Sequence, residues 1–255
     1  GKKVGIISRG YRGKKSSSKP FILDKKSKAE DFGDEAIYLS KHTDSMVCVC
    51  KKKLVAANLL FDRGVDVILS DDGLQHYALG RDIEFAVVSS NRGFGNRYLL
   101  PAGPLRERIE RLDSLDLLLI NGKQIDQDLN MKNIISFEIL NREVKNIHDG
   151  EVRPMEDFVN RDILLIAGIG DPDALQEKLI NLDIKVESID VADHETADLS
   201  LIDDIKSRTI FLTPKDLVKY SKDDLPRETW ELIPEMSIDH SEEQILIRQI
   251  QGIME

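Results

Sequence analysis

Apolar runs that are apolar on consecutive residues constrain this chain most. VGIIS at 4–8, VILS at 67–70, FAVVS at 85–89 and ILLIA at 163–167 show no polar alternation. A strand with that pattern buries both faces, the condition of a parallel sheet covered by helices on each side. Further runs at 46–49, 115–121, 185–190 and 209–213 read the same way. Amphipathic stretches at 51–63, 105–112, 173–182, 199–205, 215–220 and 242–253 separate them and predict helices. Strand and helix in alternation predict an α/β fold with mostly parallel sheets. The rhythm breaks between about 131 and 161, where IISFEILNREVKNIHDGEVRPM alternates polar with apolar and carries the turn signal His148-Asp149-Gly150. The expected organisation is therefore two α/β/α sandwich domains, 1–133 and 157–255, joined by a two-stranded linker at 134–156. The first run starts at Val4, which predicts an internal strand whose partner lies upstream of residue 1.

Composition excludes some functions. A net charge of −10 argues against a broad nucleic-acid footprint, although SRGYRGKKSSSK at 8–19 is locally basic. No apolar run reaches the length of a membrane span. Cys48 and Cys50, two apart on a predicted strand, share one face. A disulfide there would be strained, so two reduced core thiols are expected.

Ligands of open α/β sheets gather at the carboxyl ends of the strands. Here those ends supply Ser8-Arg9-Gly10-Tyr11, then Ser70-Asp71-Asp72, then SSNRGFGNRYLLPAGPLRE at 89–107. Guanidiniums, carboxylates and glycines are the groups that hold phosphates and a cation. Asp71 and Asp72 end an apolar strand as the second acidic motif of a nucleotidase does, and one carboxylate there can hold Mg²⁺. SDDG is equally a type I turn sequence, so both readings stand. The glycine- and arginine-rich loop carries Arg92, Arg97 and Arg106, and Pro104 suits the first turn of a following helix containing Arg106 and Glu107. Asp34-Glu35 follows Gly33, where helix capping explains the acids locally. Asp193-His194 can be an oriented base or a capping pair. AGIGDP at 167–172 has two glycines of a dinucleotide turn but Asp173 where the third belongs, so a tight turn capped by Asp171 or Asp173 suffices. His42, His148 and His240 lie in no motif and are expected on the surface. No G-x-x-x-x-G-K-[ST] loop occurs.

Taken together, SRGY at 8–11, GDE at 33–35, SDDGLQH at 70–76, RGFGN at 92–96, LLPAGPLRE at 99–107, AGIGDP, Asp193-His194, LTPKD at 212–216 and Trp230 resemble the tetraacyldisaccharide 4'-kinase family of lipid A biosynthesis. The resemblance runs in order along essentially the whole chain. It implies a P-loop-kinase-like fold of two α/β/α domains. It implies ATP and Mg²⁺, an acylated glucosamine disaccharide 1-phosphate as acceptor, and peripheral contact with the cytoplasmic face of the bacterial inner membrane. An amphipathic helix and a Walker A loop would precede residue 1, so the 255 residues alone are expected to lack the phosphate loop. Carried over position by position, Asp34 is the base for the 4'-hydroxyl and His194 orients it. Asp71, Asp72 and Glu107 form the Mg²⁺ environment, with Asp72 the direct ligand. Arg9, Glu35, Gln75 and Arg106 contact substrate. Glu195 stands where the family often has a second histidine, and Pro214 where it usually has an acid. Two other readings stay open on the residues: non-catalytic binding of a nucleotide or sugar phosphate, and a dinucleotide-dependent oxidoreductase built on AGIGDP.

Overall fold

The computed structural model describes residues 1–122, 125, 133–189, 191 and 195–253. Its elements are β1 (Val4–Ser8), β2 (Phe21–Ile22), α1 (Ala29–Phe32), α2 (Asp34–His42), β3 (Met46–Val49), α3 (Lys53–Asp62), β4 (Val67–Ser70), β5 (Phe85–Ser89) and β6 (Leu117–Asn121). They continue with β7 (Ile134–Asn146), β8 (Val152–Pro154), β9 (Asp162–Ile166), α4 (Pro172–Ile180), β10 (Lys185–Ile189), β11 (Thr209–Leu212), α5 (Pro214–Leu217), β12 (Thr229–Ile238) and α6 (His240–Gly252). The chain divides into two compact units, Gly1–Ala78 with Asn141–Ile233 and Leu79–Leu140 with Pro234–Glu255.

In the first unit, β2-β3-β1-β4 form one sheet, parallel except for the β2 edge. Successive side chains of a strand point to opposite faces, and that alternation sorts the core. Ile6, Val47 and Val49 pack with Ala36 and Ile37 of α2 and with Val218. Ile7, Cys48 and Cys50 pack with Ala56 and Leu60 of α3. Consecutive apolar residues are thus all used, half on each side. Both thiols are buried and free on the α3 face, as their spacing predicts. Burial pushes the Cys48 thiol up to about 11, with Cys50 adding to the rise.

Strands β10-β9-β11-β12 of the same unit run parallel. Ile163 and Leu165 face a cluster with Leu175, Leu179, Phe158, Phe211 and Trp230. Leu164 and Ile166 face the other side with Ile210 and Leu212. Each fully buried side chain of this kind contributes about 1.5–3 kcal/mol. The hairpin expected near His148 is present, since β7 pairs with β8 antiparallel through Val144 and Arg153. In the second unit β5, β6 and the start of β7 are parallel, and Phe94, Leu112, Leu118 and Ile120 form its core.

Several expectations need correction. Strands β4 and β5 end the orders β2-β3-β1-β4 and β7-β6-β5, and they are not buried on both faces: Leu69 is 53% and Val87 65% exposed. No α-helix covers 105–112. Leu105 spends its N–H on the Tyr98 carbonyl and its own carbonyl on the Leu100 N–H, so a 3₁₀ turn forms later, at Ile109–Ser114. The helix expected at 199–205 is broken into two 3₁₀ turns by Asp204, whose φ of 53° is left-handed. His148 is half-buried, with Nε2 2.8 Å from the Pro226 carbonyl. Exposed His42 is nonetheless paired with Glu231.

Candidate active site

The carboxyl ends of β1 and β4 lie side by side because the strands pair parallel through Ile6↔Leu69 and Ile7↔Ser70. This register puts Ser8 beside Asp71, and the Ser8 hydroxyl donates to Asp71 Oδ2 at 3.2 Å. The Asp71 N–H continues the ladder to the Ile7 carbonyl. Asp72 turns the chain away with φ 48°. The turn reading of SDDG holds, and the turn sets both carboxylates at the strand end. Gln75 is exposed in the turn that follows, and Arg9 is exposed at the end of β1.

Lys53 completes this corner and was not foreseen. It opens α3, is 2% exposed, and its ammonium donates to the Ser70 hydroxyl at 3.1 Å and to the Asp71 carbonyl. Burial pushes the Lys53 ammonium below its usual range; Asp71 and Asp72 pull it back up, and Arg9 adds to the fall. A lysine among three in a row after a strand gives no sequence signal of burial; only the packing of α3 selects it.

A second cluster forms around α2. Gly33 has φ 89°, and a Cβ there would lie 2.7 Å from the Tyr11 carbonyl oxygen. Gly10 is equally tight, with Val49 and the Phe32 carbonyl in the place of its Cβ. The SRGY and GDE segments thus touch through backbone, which requires glycine at both. Asp34 is the first helical residue of α2, not its cap; Gly33 takes that place. The Asp34 side chain is buried, and its Oδ1 accepts from the Glu35 N–H at 2.9 Å.

Val218 packs on the same apolar face as Ala36 and Ile37, which sets Lys215 and Lys219 beside α2. Lys215 pairs with Glu35 at 3.2 Å. Lys219 lies 3.7 Å from Asp34 Oδ2 and 2.7 Å from Asp216 Oδ1. Asp216 is itself fixed by the Thr213 hydroxyl at 2.5 Å and the Gly168 N–H at 2.9 Å. AGIGDP therefore supplies a backbone donor to this cluster, while Asp171 caps α4 as expected. Thr213-x-x-Asp216 is a helix-start pattern, and α5 begins there with Pro214 in its first turn.

Arg106 and Glu107 belong to the second unit. Arg106 is exposed, and Glu107 pairs with Arg111 at 3.6 Å. The glycine-rich loop that carries them is folded on itself: Asn96 donates to the Ala102 carbonyl and accepts from the Tyr98 N–H, and Phe94 anchors it in the core. His194 lies outside the described residues. The structure thus joins Ser8, Lys53, Ser70 and Asp71 in one corner, and Asp34, Glu35, Lys215, Asp216 and Lys219 in another, within one unit.

Among the described residues no three His, Cys, Asp or Glu side chains stand together as a metal-ligand set. Mg²⁺ does not need one, because it takes one or two carboxylates and fills its octahedron with phosphate oxygens and water. Two aspartates at the tip of β4 fit that requirement.

The family model for tetraacyldisaccharide-1-P 4'-kinase matches residues 1–252. The tetraacyldisaccharide 4'-kinase of Colwellia psychrerythraea is 38% identical over 256 residues, spanning 97% of this chain and 73% of that protein. That of Hamiltonella defensa is 37% identical over 223 residues, spanning 86% and 66%, and that of Blochmanniella pennsylvanica is 40% identical over 227 residues, spanning 86% and 64%. The chain therefore spans between 64% and 73% of the length of these relatives. The crystal structure of LpxK from Aquifex aeolicus in complex with ATP is similar with a TM-score of 0.78 at 25% identity, covering 100% of this chain and 80% of that one.

Proposed function

Since the chain belongs to the tetraacyldisaccharide 4'-kinase family, we propose that it serves transfer of the ATP γ-phosphate to the 4'-hydroxyl of an acylated glucosamine disaccharide 1-phosphate in lipid A biosynthesis. The observation that carries this reading is the buried carboxylate of Asp34, in the first turn of α2 right after Gly33, which meets the SRGY backbone, and beside Lys219. Phosphoryl transfer asks for little covalent chemistry from a protein; it asks for an aligned nucleophile and stabilised charge. A carboxylate oxygen of Asp34 accepts the proton of the 4'-hydroxyl as the 4'-oxygen bonds to the γ-phosphorus, and the bond from that phosphorus to the β,γ-bridging oxygen breaks to release ADP. His194 orients this base.

Asp71 and Asp72 would hold the divalent cation at the end of β4, Asp72 foremost. When bound with the nucleotide, Mg²⁺ neutralises charge on the β- and γ-phosphates. Ser8 and Lys53 support this tip: the hydroxyl fixes one oxygen of Asp71, and the ammonium fixes the backbone behind it. Arg9 and Arg106 contact the sugar or its 1-phosphate, with Glu35 and Gln75 as further polar contacts. A kinase domain at 1–133, a two-stranded linker at 134–156 and a second α/β domain at 157–255 belong to the same proposal. So does peripheral contact with the cytoplasmic face of the inner membrane. No described helix is long and apolar enough to cross a membrane.

The test is radiolabelled phosphate transfer from ATP to tetraacyldisaccharide 1-phosphate by the full-length protein. Asp34→Ala and His194→Ala should each lower turnover, Asp34→Ala by ~10²–10⁴ as expected for loss of a general base. Undiminished turnover in both variants would remove the assigned roles. Nucleotide binding without any transfer would favour a binding module.

A further inference from the structure

Lys219 is a lysine whose side chain is only 5% exposed, and no step described above uses it. Its ammonium meets three groups. It donates to Asp216 Oδ1 at 2.7 Å and to the Glu195 carbonyl at 3.0 Å, and it lies 3.7 Å from Asp34 Oδ2. Asp34 and Asp216 are themselves 5% and 1% exposed. Two buried carboxylates in one neighbourhood disfavour each other's charge, and an ammonium between them offsets that repulsion.

The distances divide its work. The 2.7 Å contact is a charge-assisted hydrogen bond. It is braced from behind, because Asp216 also accepts from the Thr213 hydroxyl and the Gly168 N–H. The 3.7 Å contact is longer than a hydrogen bond and gives Asp34 a positive neighbour. The third contact holds the backbone of Glu195, the residue that follows His194 in sequence.

We infer that Lys219 is a positioning residue for phosphoryl transfer: braced on Asp216, it fixes the place of Asp34 and tethers the chain immediately after His194. The inference rests on the reading of Asp34 as base, and it adds a residue to that reading. Deleting a group that orients a reacting residue typically costs about 10- to 100-fold.

The experiment measures steady-state phosphate transfer to tetraacyldisaccharide 1-phosphate by full-length Lys219→Met, Asp34→Asn and the double variant, with thermal unfolding of each. Lys219→Met should lower kcat by about 10- to 100-fold while leaving KM for ATP and lipid within about twofold. Because Lys219 acts through Asp34, adding Lys219→Met to Asp34→Asn should cost little more. A residue that only holds the fold would instead give multiplying losses in the double variant, and that result overturns the inference, as does an unchanged kcat in Lys219→Met. If Asp34→Asn itself turns over normally, the base assignment fails first, and the two failures are told apart. Should Lys219→Met not fold, Lys219→Gln keeps a donor and similar length; the same kcat-only loss supports the inference, and wild-type kcat overturns it.

Discussion

The far end of α2 from Asp34 is tied down by an ion pair whose strength follows pH. His42, in the last turn of α2, places Nε2 2.8 Å from Glu231 Oε1 on β12 and Nδ1 3.0 Å from the Tyr38 carbonyl. The hydrogen bond to Glu231 raises the His42 pKa above its usual value; burial opposes this, and the Tyr38 carbonyl adds to the rise. A group whose folded pKa is raised stabilises the fold fully below its unfolded value, about 6.5 for histidine, and loses that contribution as pH rises through the folded value. The side chains are 34% and 15% exposed. Shielded charge-assisted bonds contribute about 1.5–3 kcal/mol and exposed pairs about 0.2–1. Partial exposure of His42 puts this pair near 1 kcal/mol, roughly a fivefold change in the folding equilibrium. The assay is a double-mutant cycle of His42→Ala and Glu231→Ala by urea unfolding at pH 5.5 and pH 9. The single tryptophan, buried Trp230, adjoins Glu231 and reports the transition in this unit. Coupling of about 1 kcal/mol at the lower pH, falling to a few tenths at the higher, is expected. Equal coupling at both pH values, or stronger coupling at pH 9, would refute the reasoning.

Three further perturbations test separate links. Gly33→Ala should cost about 1–3 kcal/mol from its left-handed φ and the Tyr11 carbonyl, and it should lower turnover by displacing Asp34; wild-type melting and turnover would show that this backbone contact positions nothing. Phe158→Ala removes a buried ring that meets Phe211 and Trp230 edge-on at 5.1 Å each, and should destabilise the unit by about 3–5 kcal/mol in Trp230-monitored unfolding. Cys48, with its thiol pushed up to about 11 by burial, should resist a disulfide reagent at pH 8 in the native protein and react in denaturant; rapid native labelling would contradict the burial.

Much of this was legible in the residues. The bounds of β1, β3, β4 and β5 follow from their apolar runs. What failed had local causes. TWELIPEMSI of β12 is interrupted by Pro234 and does not read as a strand. The loop around Leu105 consumes backbone groups that a helix would have needed. The edge positions of β4 and β5 depend on strand order, which apolar runs do not encode. In the candidate site, the acids and arginines stood out as motifs, but Lys53 and Lys219 did not, and Asp216 stood out only within LTPKD, with no role attached. A buried lysine is recognised only when its partners are, and Asp216 is separated from Gly168 and Asp34 by long stretches of chain. The family resemblance rested on blocks such as SDDGLQH and LLPAGPLRE, and the match over residues 1–252 agrees with it.

The central claim is that a divalent cation with its nucleotide lies against the acidic tip of β4. Titration of Mn²⁺ with ATP into the full-length protein, followed by electron paramagnetic resonance, tests it most directly. Asp71→Asn and Asp72→Asn should each weaken binding of the Mn²⁺–nucleotide pair by about tenfold or more, with Asp72→Asn the larger effect. Unaltered affinity in both variants would place the metal elsewhere and contradict the account.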